Sequence, residues 1–262
     1  METFNFKKKF GQNFLKDVRI VQRIADVASI TKNDLVIEVG PGSGILTKQL
    51  VIRAKNVLAY EIDNDLEEQL NTLKSENNNL DIIFDDFINR NINNDIEKYS
   101  YEKIYFVSNV PYYITTPILM KLMDSNIDFE KIVMMVQKEV GERFCSKPNS
   151  KQYGSITVYL NYFYNLKKEF LVNRCEFIPV PNVDSVVISL TKKENLLYLK
   201  NKELFFKLVR DSFKFKRKTI KNNLSDYNLE VIEKKLLDNG YSLTSRAEQL
   251  PLEIYVEMAN SL

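Results

Sequence analysis

Residues 109–112 combine an amide, a rigid turn and a flat aromatic side chain directly after an apolar segment. The Asn109 side-chain oxygen and the Val110 carbonyl are two hydrogen-bond acceptors, and Pro111 fixes φ and stiffens the turn that aims them. Two such acceptors can hold both N–H groups of an adenine amine, whose lone pair is delocalised into the ring, and favour a more tetrahedral nitrogen. Tyr112 offers a face on which a flipped-out base can stack. The pattern predicts chemistry at a base amine; the alternative is a packed strand-to-helix corner.

A glycine-rich turn and a later acidic residue predict a nucleotide-like cofactor. The stretch VIEVGPGSG contains Glu38, Gly40, Gly42 and Gly44 at alternate positions. Glycines let the backbone turn tightly and let a ligand approach without a Cβ in the way, and an acidic residue such as Glu61, about twenty positions later, can accept hydrogen bonds from ribose hydroxyls. The third glycine comes one residue earlier than in the dinucleotide pattern, which disfavours NAD. The loop resembles that of class I S-adenosylmethionine-dependent methyltransferases; the alternative is a tight turn with a solvated Glu61.

Two aspartates, Asp85 and Asp86, lie at the end of the third predicted strand. The ligand crevice of an open parallel sheet lies outside the carboxyl ends of its strands. One of these carboxylates is therefore placed to accept a hydrogen bond from an adenine amino group. We favour Asp86, although the sequence does not decide which of the two points inward, and an ordinary acidic loop is the alternative.

Predicted strands and helices alternate through most of the chain. Strands are expected at 34–39, 56–62, 80–86, 103–109 and 131–137, and helices at 17–30, 45–54 and 63–75. This alternation predicts an α/β fold with a mostly parallel sheet covered on both faces. Segments 154–164 and 183–191 are expected to be β-rich, and everything after residue 195 is helical in character. We predict a sheet domain over 1–194 and a small all-α domain over 195–262.

Composition excludes several classes of function. The 262 residues are 44% hydrophobic, which is enough for a sizeable core, and the net charge is only +2. There is no histidine, so histidine bases, triads and metal ligands are excluded. Cys145 and Cys175 form no C-x-x-C pair, so we expect no metal site, no disulfide and a reducing cytoplasm. No window is apolar enough to cross a bilayer, so no membrane partner is expected.

The whole chain resembles the rRNA adenine dimethyltransferase family. Within it, the nearest branch dimethylates two adjacent adenosines near the 3′ end of small-subunit rRNA. The likeness rests on KKFGQNFL, VIEVGPGSGILT, YEID, DDF, NVPYYITTP, QKEVGERFCSKPNSKQYGSITV, FIPVPNVDS, KFKRKTIKNNL and RAEQLPLEIYVEMANSL. Val110 stands where the family usually has Leu, and Tyr113 where it often has Asn. The resemblance implies a class I (Rossmann-like) methyltransferase sheet and S-adenosyl-L-methionine as cofactor.

The resemblance also implies roles for individual residues. The segment around Asn13 and Leu15 is expected to close over the cofactor, and Phe177 to sandwich the target base against Tyr112. The expected cofactor contacts are Asn13, Leu15, Gly40, Gly42, Glu61, Asp86 and Asn109. The expected catalytic turn is Asn109, Val110, Pro111 and Tyr112.

A basic stretch near the C-terminus is a candidate RNA contact. Along one helix over residues 205–224, the charged residues Lys214, Arg217, Lys218 and Lys221 would share a face beside an apolar stripe. Lys216 falls on the apolar side, which indicates a bend or interruption. A charge run is usually a solvated face; the resemblance favours RNA contact, with Lys214, Arg217 and Lys218 as substrate-binding residues. Lys7, Lys8 and Lys9 are either a solvated tail or a second phosphate contact.

The sequence therefore predicts an enzyme that transfers methyl groups from S-adenosylmethionine to two adjacent adenosines of small-subunit rRNA. Its expected substrate is rRNA within an immature small ribosomal subunit, and we expect a monomer. One alternative is the related large-subunit rRNA adenine dimethyltransferase that confers macrolide resistance. The other is a non-catalytic RNA-binding factor for ribosome assembly, against which the intact Asn109, Tyr112, Gly40 and Glu61 argue.

Overall fold

A computed structural model describes residues 14–262 of the chain. The Asn13 prediction and the three N-terminal lysines lie outside these residues. The strands are β1 (Phe14–Leu15), β2 (Leu35–Val39), β3 (Asn56–Glu61), β4 (Leu80–Phe84), β5 (Ile104–Asn109), β6 (Phe129–Gln137), β7 (Tyr164–Val172), β8 (Phe177–Ile178) and β9 (Ser185–Lys192). The helices are α1 (Val18–Ala28), α2 (Ile45–Arg53), α3 (Glu67–Ser75), α4 (Ile92–Ile96), α5 (Thr115–Asp124), α6 (Lys138–Phe144), α7 (Ser155–Phe163), α8 (Lys202–Ser212), α9 (Ile220–Asn223), α10 (Leu229–Asp238) and α11 (Leu252–Ser261).

Seven strands form one sheet in the order β4-β3-β2-β5-β6-β9-β7. The pairs β4–β3, β3–β2, β2–β5 and β5–β6 are parallel, whereas β9 runs antiparallel to β6. The central strands are apolar runs rather than alternating ones, as expected for strands covered on both faces; all five residues of β2 are buried. The predicted α/β class with a mostly parallel sheet is confirmed.

The order of the strands places their carboxyl ends together. From β2 the sheet extends through β3 and β4 on one side and through β5 and β6 on the other. Such a switch point opens a crevice between the loops that follow the strands. The loops after β2, β3, β4 and β5 are the glycine-rich turn, the Glu61 turn, the Asp85–Asp86 turn and the Asn109 turn.

The expectation that residues 154–164 are β-rich is wrong, because residues 155–163 form α7. Val158 and Tyr159 belong to residue types that favour strands. However, α7 buries side chains around most of its circumference, including Val158, Tyr159, Leu160 and Tyr162, and it packs against α8. Burial on several sides rather than local propensity therefore determines its conformation.

Residues of the described chain form two compact units. The first comprises 14–141 and 167–191, and the second comprises 142–166 and 192–262. The second unit is thus larger than the segment 195–262 that we predicted as a domain, since it also includes α7 and the loop before it. That the chain divides into two domains at residue 194 remains a prediction.

A single helix over 205–224 does not exist in the second unit. α8 ends at Ser212, and residues 213–219 form an irregular connection before α9. Asn223 holds this connection: its Nδ2 donates to the Ser212 carbonyl (2.7 Å), and its Oδ1 accepts from the Phe215 N–H (3.1 Å). The one-helix arrangement of Lys214, Arg217, Lys218 and Lys221 is therefore corrected, and the predicted interruption near Lys216 is confirmed.

Candidate active site at the carboxyl end of the sheet

One cleft in the first unit collects most of the predicted site residues. It encloses about 320 Å³ and lies at the carboxyl ends of β2, β3, β4 and β5. Its walls include Leu15, Glu38, Gly40, Gly42, Glu61, Asp85, Asp86, Asn109, Val110, Pro111, Tyr112 and Tyr113. Segments far apart in the sequence therefore supply one pocket with both polar and aromatic groups.

Asn109 ends β5 with its polar side chain on the cleft. Its backbone lies opposite Met135 of β6, which fixes its position in the sheet. Within residues 14–262 the Asn109 amide has no hydrogen-bond partner, and the Val110 carbonyl accepts no backbone N–H. The Val110 side chain is buried, which anchors the turn. Two unused acceptors of the kind that the sequence predicts thus occur at adjacent positions.

Tyr112 and Tyr113 lie in a short 3₁₀ turn at residues 112–114 and differ in their surroundings. The Tyr112 phenol forms a 2.6 Å hydrogen bond with Ser185 Oγ of β9. Burial raises the pKa of Tyr112, and the bond to Ser185 partly offsets this. Tyr113 is 56% exposed; burial, Asp86 and Glu61 together raise its pKa. Ser185 ends the FIPVPNVDS stretch, but it lies 73 positions from Tyr112, and nothing in the sequence indicated this contact.

The glycine turn needs its glycines for two different reasons. Gly40, Gly42 and Gly44 all have positive φ (71°, 58° and 74°), a region that residues with a Cβ rarely adopt. A Cβ on Gly42 would lie 2.6 Å from the Phe14 ring, whereas one on Gly40 would keep 3.6 Å from Pro111. Phe14 is thus a cleft residue that was not among the predicted site residues, although it lies within the KKFGQNFL stretch, between Asn13 and Leu15.

Glu61 is tied to the glycine turn. Its Oε2 accepts the Gly42 N–H (3.1 Å), and its Oε1 accepts the Asp63 N–H (2.9 Å). Burial raises the pKa of Glu61, while the N–H groups of Asp63 and Gly42 lower it. The carboxylate is 4% exposed and lines the cleft. It is therefore oriented by the fold before any ligand binds, with lone pairs left to accept further hydrogen bonds.

Asp85 and Asp86 both reach the cleft but have different partners. Asp85 Oδ2 lies 3.4 Å from Arg90 Nη1 in an ion pair. Asp86 caps the 3₁₀ turn at residues 87–89, accepting the Ile88 N–H (2.9 Å) and the Asn89 Nδ2 (3.3 Å). The proximity of Asp86 to Tyr113 is consistent with the choice of Asp86, which remains a prediction.

Glu38 is a buried acid that was not predicted as a site residue from the sequence. It is 1% exposed and lines the cleft, and its Oε2 has no hydrogen-bond partner in the described part of the chain. Burial raises the pKa of Glu38 to about 8, the Thr47 hydroxyl lowers it in part, and the charge of Glu61 raises it. Its place in the VIEVGPGSG stretch was the one signal that could have indicated it.

Leu15 and Phe177 meet in the only two-stranded sheet of the described residues. Leu15 of β1 pairs with Phe177 of β8, and both belong to the hydrophobic core. Phe177 is fully buried, so its ring presents no open face to a base. The predicted stacking role of Phe177 is not supported by this packing, although Leu15 does line the cleft.

The predicted RNA-binding residues lie in the second unit. Lys214, Arg217 and Lys218 are exposed in the connection between α8 and α9. Phe215 is 54% exposed, and the Lys214 ammonium lies 5.5 Å from its ring centre. The Lys216 ammonium instead donates to the Lys151 carbonyl (2.9 Å). The connection thus carries four exposed cations, Lys214, Lys216, Arg217 and Lys218, and one exposed aromatic ring.

A family model described as ribosomal RNA adenine dimethylase matches residues 3–262. The chain belongs to this family. A ribosomal RNA small subunit methyltransferase A of Staphylococcus aureus is 42% identical over 264 residues, covering 97% of this chain and 89% of that protein. The family assignment from the sequence is therefore confirmed, and with it the class of enzyme, a methyltransferase.

Solved structures show that the dimethylase fold extends over nearly the whole chain. A dimethyladenosine transferase from Plasmodium falciparum superposes with a TM-score of 0.76 at 27% identity, covering 94% of this chain and 95% of its own. The 23S rRNA methyltransferase ErmE gives a TM-score of 0.74, also at 27% identity, over 95% and 99% of the two chains. The class I methyltransferase fold is thus confirmed, but fold similarity alone does not separate the two branches of the dimethylase family.

Two further findings concern membrane-spanning helices and metal-binding clusters. No helix among residues 14–262 is long and apolar enough to cross a membrane. In the same residues, no group of three or more Cys, Asp or Glu side chains is arranged to hold a metal ion.

Proposed function

We propose that this chain is an S-adenosylmethionine-dependent enzyme that dimethylates the exocyclic amines of two adjacent adenosines in the 3′-terminal hairpin of small-subunit rRNA. The observation that carries the proposal is the pair of unused acceptors, the Asn109 amide and the Val110 carbonyl, in the same cleft as the glycine turn and Glu61. The immature small ribosomal subunit is its expected substrate, and we keep the expectation of a cytoplasmic monomer.

The residues of the cleft fit the cofactor. Gly40 and Gly42 line the cleft with a positive φ that glycine adopts readily, and Glu61 is oriented to accept hydrogen bonds from a ribose. Asp86 is placed to accept one from an adenine amino group. Glu38 keeps a buried oxygen without a partner among the described residues, beside the same turn, as expected for a site completed by a polar ligand. When bound, the cofactor supplies an electrophilic methyl group.

The residues of the chain act by alignment rather than by acid–base chemistry. Asn109 and Val110 accept the two N–H groups of the target adenine, which directs the nitrogen lone pair at the methyl group. Pro111 stiffens this turn, and Tyr112 holds the ring plane of the base by stacking. The amine proton becomes strongly acidic once the nitrogen is methylated and leaves without a strong base, so the absence of histidine is no obstacle. Positioning and electrostatics are the main contributions to catalysis.

Sequence identity to known enzymes favours the small-subunit substrate over the large-subunit one. The Staphylococcus aureus small-subunit enzyme shares 42% of residues over nearly the whole chain, compared with 27% for the 23S enzyme. The second unit, with exposed Lys214, Arg217 and Lys218, is the proposed site of phosphate contact.

Methylation of purified subunits tests the proposal directly. Immature small subunits and large subunits, both without these methyl groups, are incubated with the protein and S-adenosylmethionine, and each rRNA is read by primer extension. We expect two adjacent stops near the 3′ end of the small-subunit rRNA, and far weaker stops after the same reaction time with the slower Asn109→Ala variant. Stops in the large-subunit rRNA alone would favour the macrolide-resistance enzyme, and no stops in either would favour an assembly factor without catalysis.

Cofactor identity is tested separately by thermal unfolding. S-adenosylmethionine at about 100 times its Kd should stabilise the protein by about 2.7 kcal/mol through mass action. Glu61→Ala should abolish the shift, because the ribose acceptor is gone and the glycine turn loses its anchor. NADH is the control ligand; a shift with NADH and none with S-adenosylmethionine would reject the assignment.

A further inference from the structure

We propose that Ser185 is a positioning residue for methyl transfer, because its hydroxyl fixes the ring of Tyr112 before the target base arrives. The two oxygens are 2.6 Å apart. The inference rests on the proposed function, since it assumes that Tyr112 stacks on the target adenine.

The backbone around Ser185 is held on several sides. Ser185 is fully buried and lies opposite Gln137 in the β6–β9 pair. Its neighbour Asp184 accepts the Lys138 N–H at its carbonyl (2.9 Å) and the Arg174 N–H at its carboxylate (3.0 Å). The hydroxyl is therefore a fixed point of the sheet and not part of a loop.

Tyr112, by contrast, stands on a short turn. Within residues 14–262 the phenol oxygen has Ser185 as its one hydrogen-bond partner. The Tyr112 carbonyl accepts a 3.3 Å bond from Thr115 Oγ1, which restrains the backbone of the turn but not the phenol. A side chain that is held at its far end has already lost its rotamer freedom when the protein folds. Substrate binding therefore does not have to supply the entropic cost of ordering it.

The chemistry required of Tyr112 agrees with a hydrogen bond of this kind. A stacking ring has to remain neutral and in one plane, and it exchanges no proton with the substrate. The Ser185 hydroxyl satisfies the buried phenol without introducing a charge. Loss of the bond would thus change the position of the Tyr112 ring and not its charge or protonation.

The test compares variants at both ends of the bond. Ser185→Ala and Tyr112→Phe should each lower the single-turnover rate on immature small subunits by about 3- to 10-fold, the range expected for one hydrogen bond. The affinity for S-adenosylmethionine should not change. The double variant should be no slower than the slower single variant, because both remove the same interaction. Ser185→Thr keeps the hydroxyl and should restore most of the rate.

Ser189→Ala is the matched control. Ser189 lies four residues along the same strand, is also buried, and bonds Glu169 (2.6 Å) away from the cleft. We expect its rate to stay near that of the wild type. A wild-type rate in Ser185→Ala, or fully additive effects in the double variant, would overturn the inference alone. A wild-type enzyme inactive on these subunits would overturn the proposed function and the inference together.

Discussion

At the scale of single residues, the sequence indicates several of the side chains that line the cleft but not the contacts that hold them in place. Asn109, Glu61 and Asp86 are identifiable because each lies at or just beyond the carboxyl end of a strand, and these ends must face the crevice. Phe14 and Ser185 lie within the KKFGQNFL and FIPVPNVDS stretches, but their contacts with Gly42 and Tyr112 join distant segments and are not encoded by either stretch alone. Phe177, whose stacking role was implied by the family resemblance, is fully buried in this structure, and the role stays a prediction.

Asn109 carries the first prediction at this scale. Replacement of Asn109 by Ala removes one preorganised acceptor and should slow methyl transfer by about 10²–10³. Single-turnover kinetics measure this, with the thermal shift by S-adenosylmethionine as the check that the cofactor still binds. An unchanged rate would show that the amide is structural.

Glu38 carries a prediction about pH. Its pKa is about 8 in the folded protein, against an ordinary value of 4.5, so between these values the folded state holds a proton that the unfolded state has released. The contribution of Glu38 to the free energy of unfolding is therefore fully present below about pH 4.5. It should be lost as the pH rises to about 8, which lowers the free energy of unfolding by at most about 4–5 kcal/mol. Glu38→Gln stays neutral, and its stability should fall less over the same range.

Urea unfolding followed by far-UV circular dichroism measures this difference, since the chain has no tryptophan. The control is Glu97→Gln, an exposed position on the same unit. Identical pH profiles for Glu38→Gln and the wild type would mean that Glu38 is ionised in the folded state.

At the scale of elements, the local sequence pattern was sufficient to predict strands and helices whose apolar residues recur in a simple pattern. β2 to β6 and α1 to α3 lie within a few residues of the predicted bounds, and the Asp17 N-cap accepts the Arg19 N–H (2.8 Å) as such a cap should. The errors concentrate at residues 154–172. There α7 is built from strand-favouring types, and β7 alternates exposed and buried positions too weakly to be recognised.

The interruption between α8 and α9 gives a prediction at this scale. Asn223 has no charge, but its amide holds the connection that bears Lys214, Arg217 and Lys218. Asn223→Ala should weaken binding to small subunits by about 5- to 10-fold, because the cations would no longer share a common arrangement. Filter binding measures the affinity, and Asn222→Ala, an exposed neighbour, is the control. Equal affinities of the two variants would show that the connection does not need this bond.

At the scale of the whole molecule, the active-site cleft alone cannot choose one hairpin, since a flipped adenine buries little surface. Recognition of structured RNA relies mainly on phosphate contacts and shape. The net charge of +2 means that the basic surface has to be local. We therefore propose that the exposed cations of the second unit select the substrate and that the first unit carries out the chemistry.

The salt dependence of binding tests this division. Replacement of Lys214, Arg217 and Lys218 by Gln should weaken binding and reduce the slope of log affinity against log salt by about 0.7–0.9 for each phosphate that the protein no longer neutralises. Binding of S-adenosylmethionine should be unchanged. Lys234→Gln, an exposed lysine of α10, controls for a general decrease in charge. If slope and affinity both match the wild type, these cations form only a solvated face.

The antiparallel pairing of β6 with β9 has a consequence for how the gene can change. Asn109 faces Met135, and Ser185 faces Gln137, so β6 sets the spacing between the amide and the hydroxyl. A one-residue insertion in β6 or β9 would slide Ser185 by about 3.4 Å and turn its side chain to the other face of the sheet. Length variation should therefore be tolerated in surface loops, such as the connection between α3 and β4, and eliminated from these two strands.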